Sequence, residues 1–240
     1  MSALRGVRFD VKDEEFVCLV GPSGCGKTTL LKIVAGLLEP TAGEIVFRRG
    51  REEGHPLNAL AFQEHGVFPW MTVIDNVAFG LEMQGAPRRE RTDRARAFLS
   101  AFGLASFARS YPHELSVGMR QRVGIARAFL ADPYMLLMDE PFGSLDAMTK
   151  LVLQEELLRI WETHKKLVLY VTHDIEEAVL LADRVLVMTG RPGRIREEIV
   201  VPLARPRDMR DRDRAEILRI KKHVWAILEE EVRKSIGGAS

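Results

Sequence analysis

The chain has 240 residues, 46% of them hydrophobic, enough to bury a sizeable core in one domain with room for a subdomain. A formal net charge of +1 excludes the global basic field that nucleic-acid partners require. The two cysteines, Cys18 and Cys25, lie too close across a strand and a tight loop to pair, and no Cys/His set has zinc spacing, so a reducing cytosolic compartment is expected.

The first twenty residues carry charges throughout, unlike a signal peptide, and no apolar run approaches the roughly 18 residues of a membrane span. "FVCLV" (Phe16 to Val20) is an apolar, β-forming run that ends at Gly21 and predicts a buried strand. A glycine-rich loop follows, then "TTLLKIVAGL", helical in spacing and stopping near Gly36. "GEIVF" (Gly43 to Phe47) and "NALAFQ" (Asn58 to Gln63) predict strands. From Trp70 the pattern changes to amphipathic helices over Asp75 to Met83 and Arg91 to Phe102, a helical insertion between strands. Helix resumes from Met119 to Ala131, where Asp132-Pro133 stops it. "YMLLM" (Tyr134 to Met138), "LVLYV" (Leu167 to Val171) and "RVLVM" (Arg184 to Met188) predict further core strands. Helices are expected over Thr149 to Thr163 and Ile175 to Leu181. A long amphipathic helix over about 213–235 carries Ile217, Ile220, Val224, Ile227, Leu228 and Val232 at helical spacing. Alternating strands and helices argue for an α/β chain with a mostly parallel sheet covered on both faces. The arginine clusters Arg88 to Arg91 and Arg205 to Arg214 are interrupted by acids and read as solvated surface, and Arg205 to Asp213 as a mobile linker.

"GPSGCGKTT" comprises Gly21, Pro22, Ser23, Gly24, Cys25, Gly26, Lys27, Thr28 and Thr29. It fits G-x-x-x-x-G-K-[ST] after a strand and at the opening of a helix. Glycines let the backbone turn so that successive N–H groups point at phosphate oxygens. The helix N-terminus adds partial positive charge. Lys27 then reaches the β- and γ-phosphates, and the Thr28 hydroxyl ligates Mg²⁺. Cys25, near a helix start, is expected to have a lowered thiol pKa, so that alkylation would block nucleotide binding and ATP would protect; the alternative is a small residue that merely fits. Asp139-Glu140 end an apolar strand. The first carboxylate is suited to hold Mg²⁺ and the second to orient or deprotonate a water.

Four further elements follow in fixed order: Gln63 at a strand end, "LSVGM" (Leu115 to Met119) before a helix, "SLD" (Ser144 to Asp146) after the carboxylates, and His173 after "LVLYV". With the phosphate loop, this set resembles the ATP-binding subunit of an ABC transporter over nearly the whole chain. "VFPWMTVIDNVAFGLEMQG" and "MDEPFGSLDAMTK" are similar to the nitrate, sulfonate and taurine importer group. The resemblance implies the P-loop NTPase fold of an ABC ATPase: a mostly parallel central sheet, an antiparallel β subdomain and a helical subdomain at about 70–132, all in one ATP-binding domain. It implies ATP and Mg²⁺ as cofactors. Glu140 would be the catalytic base, His173 would bridge it to the γ-phosphate, and Gln63 would sense Mg²⁺ and water. Thr28, Gln63 and Asp139 would form the metal set. Ser116 and Gly118 would contact the ATP held by the other subunit of a dimer, and Asp146 would lie at that interface. The dimer would be formed with a second copy or a second ATP-binding subunit. Transmembrane permease subunits would hold it at the cytoplasmic face of the plasma membrane, and a periplasmic or extracellular substrate-binding protein would act indirectly. Phe68, Trp70 and Met71 would divide between core packing and a groove for a permease helix. The alternatives are a soluble ABC-type ATPase outside transport and a non-hydrolytic regulator.

Two departures from the family's pattern stand out. The aromatic that stacks on adenine would fall at or before Met1, and Glu14 replaces a glycine in a turn suited to positive φ. Val117 replaces the first glycine of the signature motif, and it is strained only if its φ is positive.

Overall fold

The computed structural model of the chain describes residues 2–47, 55–62, 66–208 and 214–237. In chain order the elements are β1 (Phe16–Val20), α1 (Lys27–Val34), β2 (Asn58–Ala61), α2 (Val73–Met83), α3 (Arg88–Ala101), α4 (Val117–Leu130), β3 (Met135–Asp139), α5 (Ala147–His164), β4 (Leu167–Val171), α6 (Ile175–Leu181), β5 (Arg184–Met188), β6 (Ile195–Val200) and α7 (Ala215–Gly237). They fall into two compact units, one of Met1–Ile45 with Trp161–Ser240 and one of Val46–Ile160.

In the first unit β1 is central. It pairs in parallel with β4 (Phe16 opposite Val168) and with β5 (Val17 opposite Arg184). Every residue of β1 and β4 is buried, as expected of parallel strands covered on both faces. Phe16 meets Trp161 edge-on at 5.5 Å and Tyr170 at 5.8 Å. The α7 helix packs on α6 and β5 through Ile217, Ile220, Val224 and Ile227, at the spacing read from sequence.

Three features of this unit differ from the sequence reading. The edge strand β6 pairs antiparallel with β5, although its sequence IREEIV has poor strand propensity. Its charges are paired within the ladder and beyond it: Arg184 of β5 donates to Glu198 at 2.8 Å, and Arg196 of β6 reaches Glu230 and Glu231 on α7. Arg205 and Arg207 are anchored rather than solvated. Arg205 lies 4.2 Å over the Trp161 ring and donates to Asp183 at 2.9 Å and to the Leu181 carbonyl at 2.7 Å. Arg207, 4% exposed, donates to the Ala182 carbonyl at 2.6 Å and the Leu180 carbonyl at 3.1 Å. The pair thus satisfies carbonyls left open at the end of α6, and burial pulls the Arg207 pKa down to about 10. The rest of the expected linker, residues 209–213, lies outside the described residues. Finally, the segment Gly43 to Phe47 forms no strand. No strand assigned among the described residues pairs with it; Val46 is 69% exposed, while Phe47 is half-buried and meets the Tyr134 ring edge-on at 6.5 Å.

In the second unit β2 and β3 pair in parallel, Asn58 opposite Met135. The helices α2, α3 and α4 pack on one another around Val77, Leu81, Leu99, Phe102, Val123 and Phe129. A Cβ on Gly80 would stand 2.6 Å from the Ala131 Cβ, so α2 and the end of α4 approach more closely there than any side chain would permit. Thr72 caps α2, accepting from the Asp75 amide at 3.3 Å. No helix among the described residues is long and apolar enough to cross a membrane.

Candidate nucleotide-binding site

Gly21 leaves β1 directly into the loop, and Gly26 begins α1 at φ 109°, open only to glycine. Ser23, Gly24 and Thr28 are exposed; Pro22, Gly26 and Thr29 are half-buried. Lys27 is buried and folded back, its Nζ donating to the Gly21 carbonyl at 2.8 Å and the Pro22 carbonyl at 3.2 Å. The loop therefore already wraps a cation, the complement of the anion it is shaped for.

Two other segments of the same unit brace this loop. A Cβ on Gly193 would lie 2.2 Å from the Cys25 carbonyl oxygen, so the turn after β5 presses backbone to backbone against the phosphate loop. The Gly193 amide donates to the Ala3 carbonyl at 2.9 Å, and the Arg5 amide to the Gly193 carbonyl at 3.0 Å. Leu4 rests on Gly26, where an added Cβ would sit 2.7 Å from its Cδ2. Nothing local in Gly190-Arg191-Pro192-Gly193 discloses what the turn touches. The Cys25 thiol is 1% exposed, and burial pushes its pKa up, outweighing Lys27 and the nearby amides. The expected lowering is thus reversed, and Cys25 is the small residue that fits.

His173 stands on the same strand edge. Because β1 and β4 run parallel with Leu19 opposite Val171, both carboxyl ends open on one side. The Thr172 amide donates to the Leu19 carbonyl at 3.2 Å, and the exposed His173 follows.

The remaining expected residues belong to the second unit. Asp139 ends β3, and Glu140 follows at φ 44°. A non-glycine residue held there typically costs about 1–3 kcal/mol, and such strain collects at working sites. The Glu140 carbonyl accepts from the Gly143 amide at 3.0 Å, closing the turn. Gln63 lies outside the described residues, two positions past the end of β2.

Ser116 is the N-cap of α4, its hydroxyl accepting from the Met119 amide at 3.3 Å. Val117 is the first residue of the helix with negative φ, so its branched side chain is unstrained. Around Gly118 an added Cβ would meet Thr149 at 3.4 Å and Leu145 at 3.6 Å, ordinary contact. Gln121 donates to the Ser144 hydroxyl at 3.0 Å. This joins α4 to the loop bearing Asp146, which caps α5 by accepting from the amides of Met148 at 3.1 Å and Thr149 at 3.0 Å. The Thr149 hydroxyl and amide hold the Asp146 carboxyl below its usual range. Ser116 and Asp146 are therefore exposed on two joined segments, with Gly118 buried between α4 and the start of α5.

Asn76, which sequence reading passed over, is fully buried and organises residues 68–72. Its Oδ1 accepts from the Phe68 amide at 2.7 Å, and its Nδ2 donates to the carbonyls of Phe68 at 3.0 Å and Met71 at 3.1 Å. Phe68 turns inward on Phe79 at 4.7 Å, with Arg127 4.8 Å above its ring, while Trp70 is left 70% exposed. Phe68 is thus half-buried and Trp70 exposed.

Residues 4–143 match the ABC transporter family. An uncharacterized ABC transporter ATP-binding protein of Methanocaldococcus jannaschii is 47% identical over 98% of this chain and 88% of its own length. The nitrate import ATP-binding protein NrtD of a Synechocystis species is 48% identical over 84% of this chain and 76% of its own. The taurine import ATP-binding protein TauB of Rhizobium johnstonii is 50% identical over 81% and 75%. Among solved structures, a dimeric bacterial ABC transporter cassette superposes with a TM-score of 0.72 at 31% identity, covering 84% of this chain and 92% of that one. The same cassette is also known in a post-hydrolysis state bound to ADP and Pi. With its phosphate loop, its mostly parallel strands and these matches, the chain belongs to the ABC transporter family, as an ATP-hydrolysing import-type cassette of the P-loop α/β fold.

Proposed function

We propose that the chain is the ATP-hydrolysing subunit of an importer for nitrate, a sulfonate, taurine or a similar small anion. The observation that carries the catalytic reading is the parallel pairing of β1 with β4, which opens the phosphate loop and His173 on one edge. The import direction and anion class rest on the relatives, which are named for nitrate and taurine import.

Gly21 to Thr29 hold the phosphates, and Lys27 exchanges the Gly21 and Pro22 carbonyls for β- and γ-phosphate oxygens. Thr28, Asp139 and Gln63 offer oxygen donors, the set a hard cation such as Mg²⁺ prefers. Bound there, Mg²⁺ would neutralise charge on the phosphate oxygens. Glu140 takes a proton from the water whose oxygen bonds to the γ-phosphorus, while the bond from phosphorus to the β–γ bridging oxygen breaks and ADP and phosphate leave. His173 holds the γ-phosphate and Glu140 in register. Ser116 and Gly118, at the start of α4, turn amides and the helix dipole toward the γ-phosphate bound by the second subunit of a head-to-tail dimer. Asp146 lies beside them at that interface. ATP closes the dimer because the nucleotide supplies contacts to both chains, and hydrolysis reopens it. Trp70 and its neighbours receive a helix of a permease, which keeps the dimer at the cytoplasmic face of the membrane. A substrate-binding protein outside the membrane acts through that permease.

The test is co-purification with a multi-span membrane protein encoded nearby, followed by ATPase assay of Glu140→Gln. Turnover is expected to fall on the order of 10²–10³-fold, with an ATP-trapped dimer in gel filtration. Retained turnover removes Glu140 as the base, and failure to capture any multi-span protein removes the importer.

A further inference from the structure

The segment from Tyr170 to Glu177 contains a buried carboxylate that the mechanism above leaves unused. Glu177, on the first turn of α6, is only 3% exposed. Its Oε1 accepts from the Tyr170 hydroxyl at 2.7 Å, and its Oε2 accepts from the Thr172 hydroxyl. The same Thr172 oxygen accepts from the Asp174 amide at 3.0 Å. Asp174 in turn caps α6, its Oδ1 accepting from the amides of Glu176 at 2.9 Å and Glu177 at 3.1 Å. Thr172 is additionally tied through its amide to the Leu19 carbonyl of β1. The result is a closed ring, Thr172 to Glu177 to Asp174 and back to Thr172, with the exposed His173 on the backbone between Thr172 and Asp174.

A carboxylate buried this deeply is costly to desolvate, and two hydroxyl donors are what it needs to stay there. For packing alone an apolar side chain would serve the start of α6 better. We infer that Glu177 is a positioning residue for His173: by holding the Thr172 hydroxyl it fixes the backbone on either side of the imidazole, and so presents the ring at the edge shared with the phosphate loop. The inference rests on the reading of His173 as the γ-phosphate contact. Glu177 acts through Thr172, as a positioning rather than a catalytic residue. Tyr170 is the second anchor, keeping the carboxylate from rotating away from Thr172.

The experiment uses the full chain with its co-purified permease. Steady-state ATPase and thermal melting are measured for Glu177→Gln, Thr172→Val, His173→Ala and the double variant His173→Ala/Glu177→Gln. The first two are close to isosteric, so each checks the other should one fail to fold. Glu177→Gln is expected to lower kcat on the order of 10- to 100-fold, because small displacements of a reacting group cost that much, while KM for ATP moves less than about twofold. Thr172→Val should reproduce that split. In the His173→Ala background the Glu177 change should cost nothing more, since a residue acting only through the imidazole has nothing left to position. Losses that multiply in the double variant, or a Glu177→Gln enzyme with unaltered kcat, overturn the inference. A His173→Ala enzyme with undiminished turnover overturns instead the reading of His173, and the positioning role with it.

Discussion

Around the phosphate loop the neighbours are close, buried and largely backbone. Gly193 meets the Cys25 carbonyl, Leu4 covers Gly26, and Lys27 is folded into the loop's own oxygens. Around Ser116 and Gly118 the surroundings are of another kind. Ser116 is exposed, its hydroxyl serves its own helix, and the contacts near Gly118 are ordinary side-chain distances. The first region is shaped by packing within its unit, so its geometry exists before any ligand arrives. The second keeps a helix N-terminus at the surface, where unpaired amides cost little in water and remain available to an anion. One region should fail by unfolding and the other by losing activity while staying folded.

The largest effect is expected at Gly193→Ala. The new Cβ meets backbone rather than a flexible side chain, so about 3 kcal/mol of stability in urea denaturation should be lost, with ATP binding weakened alongside. A stable Gly193→Ala protein that binds ATP normally would dissolve the contrast. Gly118→Ala is its counterpart: the new Cβ meets only side chains at ordinary distances, so stability should stay within about 0.5 kcal/mol of the original, while the proposed contact of this residue with the second subunit's ATP predicts ATPase reduced on the order of 10²-fold. Equal damage to folding and turnover would mean that Gly118 serves packing. Cys25 gives a chemical version of the test. Native alkylation at neutral pH should run at least tenfold slower than in urea, because the thiol is buried and its pKa raised. The sign of the pH dependence follows: thiolate appears only above the usual thiol range, so alkylation should accelerate at a higher pH than for an exposed cysteine. Rapid labelling at neutral pH would show that the loop is less tightly packed. The smallest effect is expected at Glu14→Gly. Glu14 sits at φ 59°, and relieving that backbone should gain about 0.5–1 kcal/mol, the left-handed penalty less the added freedom of the unfolded chain. A loss of stability would indicate that the Glu14 side chain contributes something beyond its backbone.

Much of this was legible from local pattern. Apolar runs such as Phe16 to Val20 and Leu167 to Val171 became fully buried parallel strands, because continuous hydrophobicity suits strands covered on both faces. The phosphate loop was legible because its function demands glycine and lysine at set positions between a strand and a helix. The charged strand β6 was not, since only its ladder with β5 and its pairing to α7 make Glu197 and Glu198 acceptable in an edge strand. Nor were Arg205 and Arg207, whose alternation with other polar residues looks like solvent-facing chain; their partners are carbonyls at the end of a helix more than twenty residues earlier.

By itself the sequence determined most of the elements, though not β6 or the lack of a strand at residues 43–47, together with the motifs and the chemistry each residue type could offer. The tertiary structure decided the environment of each group. The Cys25 thiol is raised rather than lowered because burial outweighs a nearby lysine and amides. Val117 is harmless because its backbone has negative φ, and Glu140 is strained because its own does not. Glu177 matters because two hydroxyls converge on it from β4 and from the residue just after it. The packing around Cys25 depends on Gly193 far along the chain, whereas the φ of Val117 and Glu140 and the Glu177 contacts five and seven residues away are local; periodicity along the chain records neither kind.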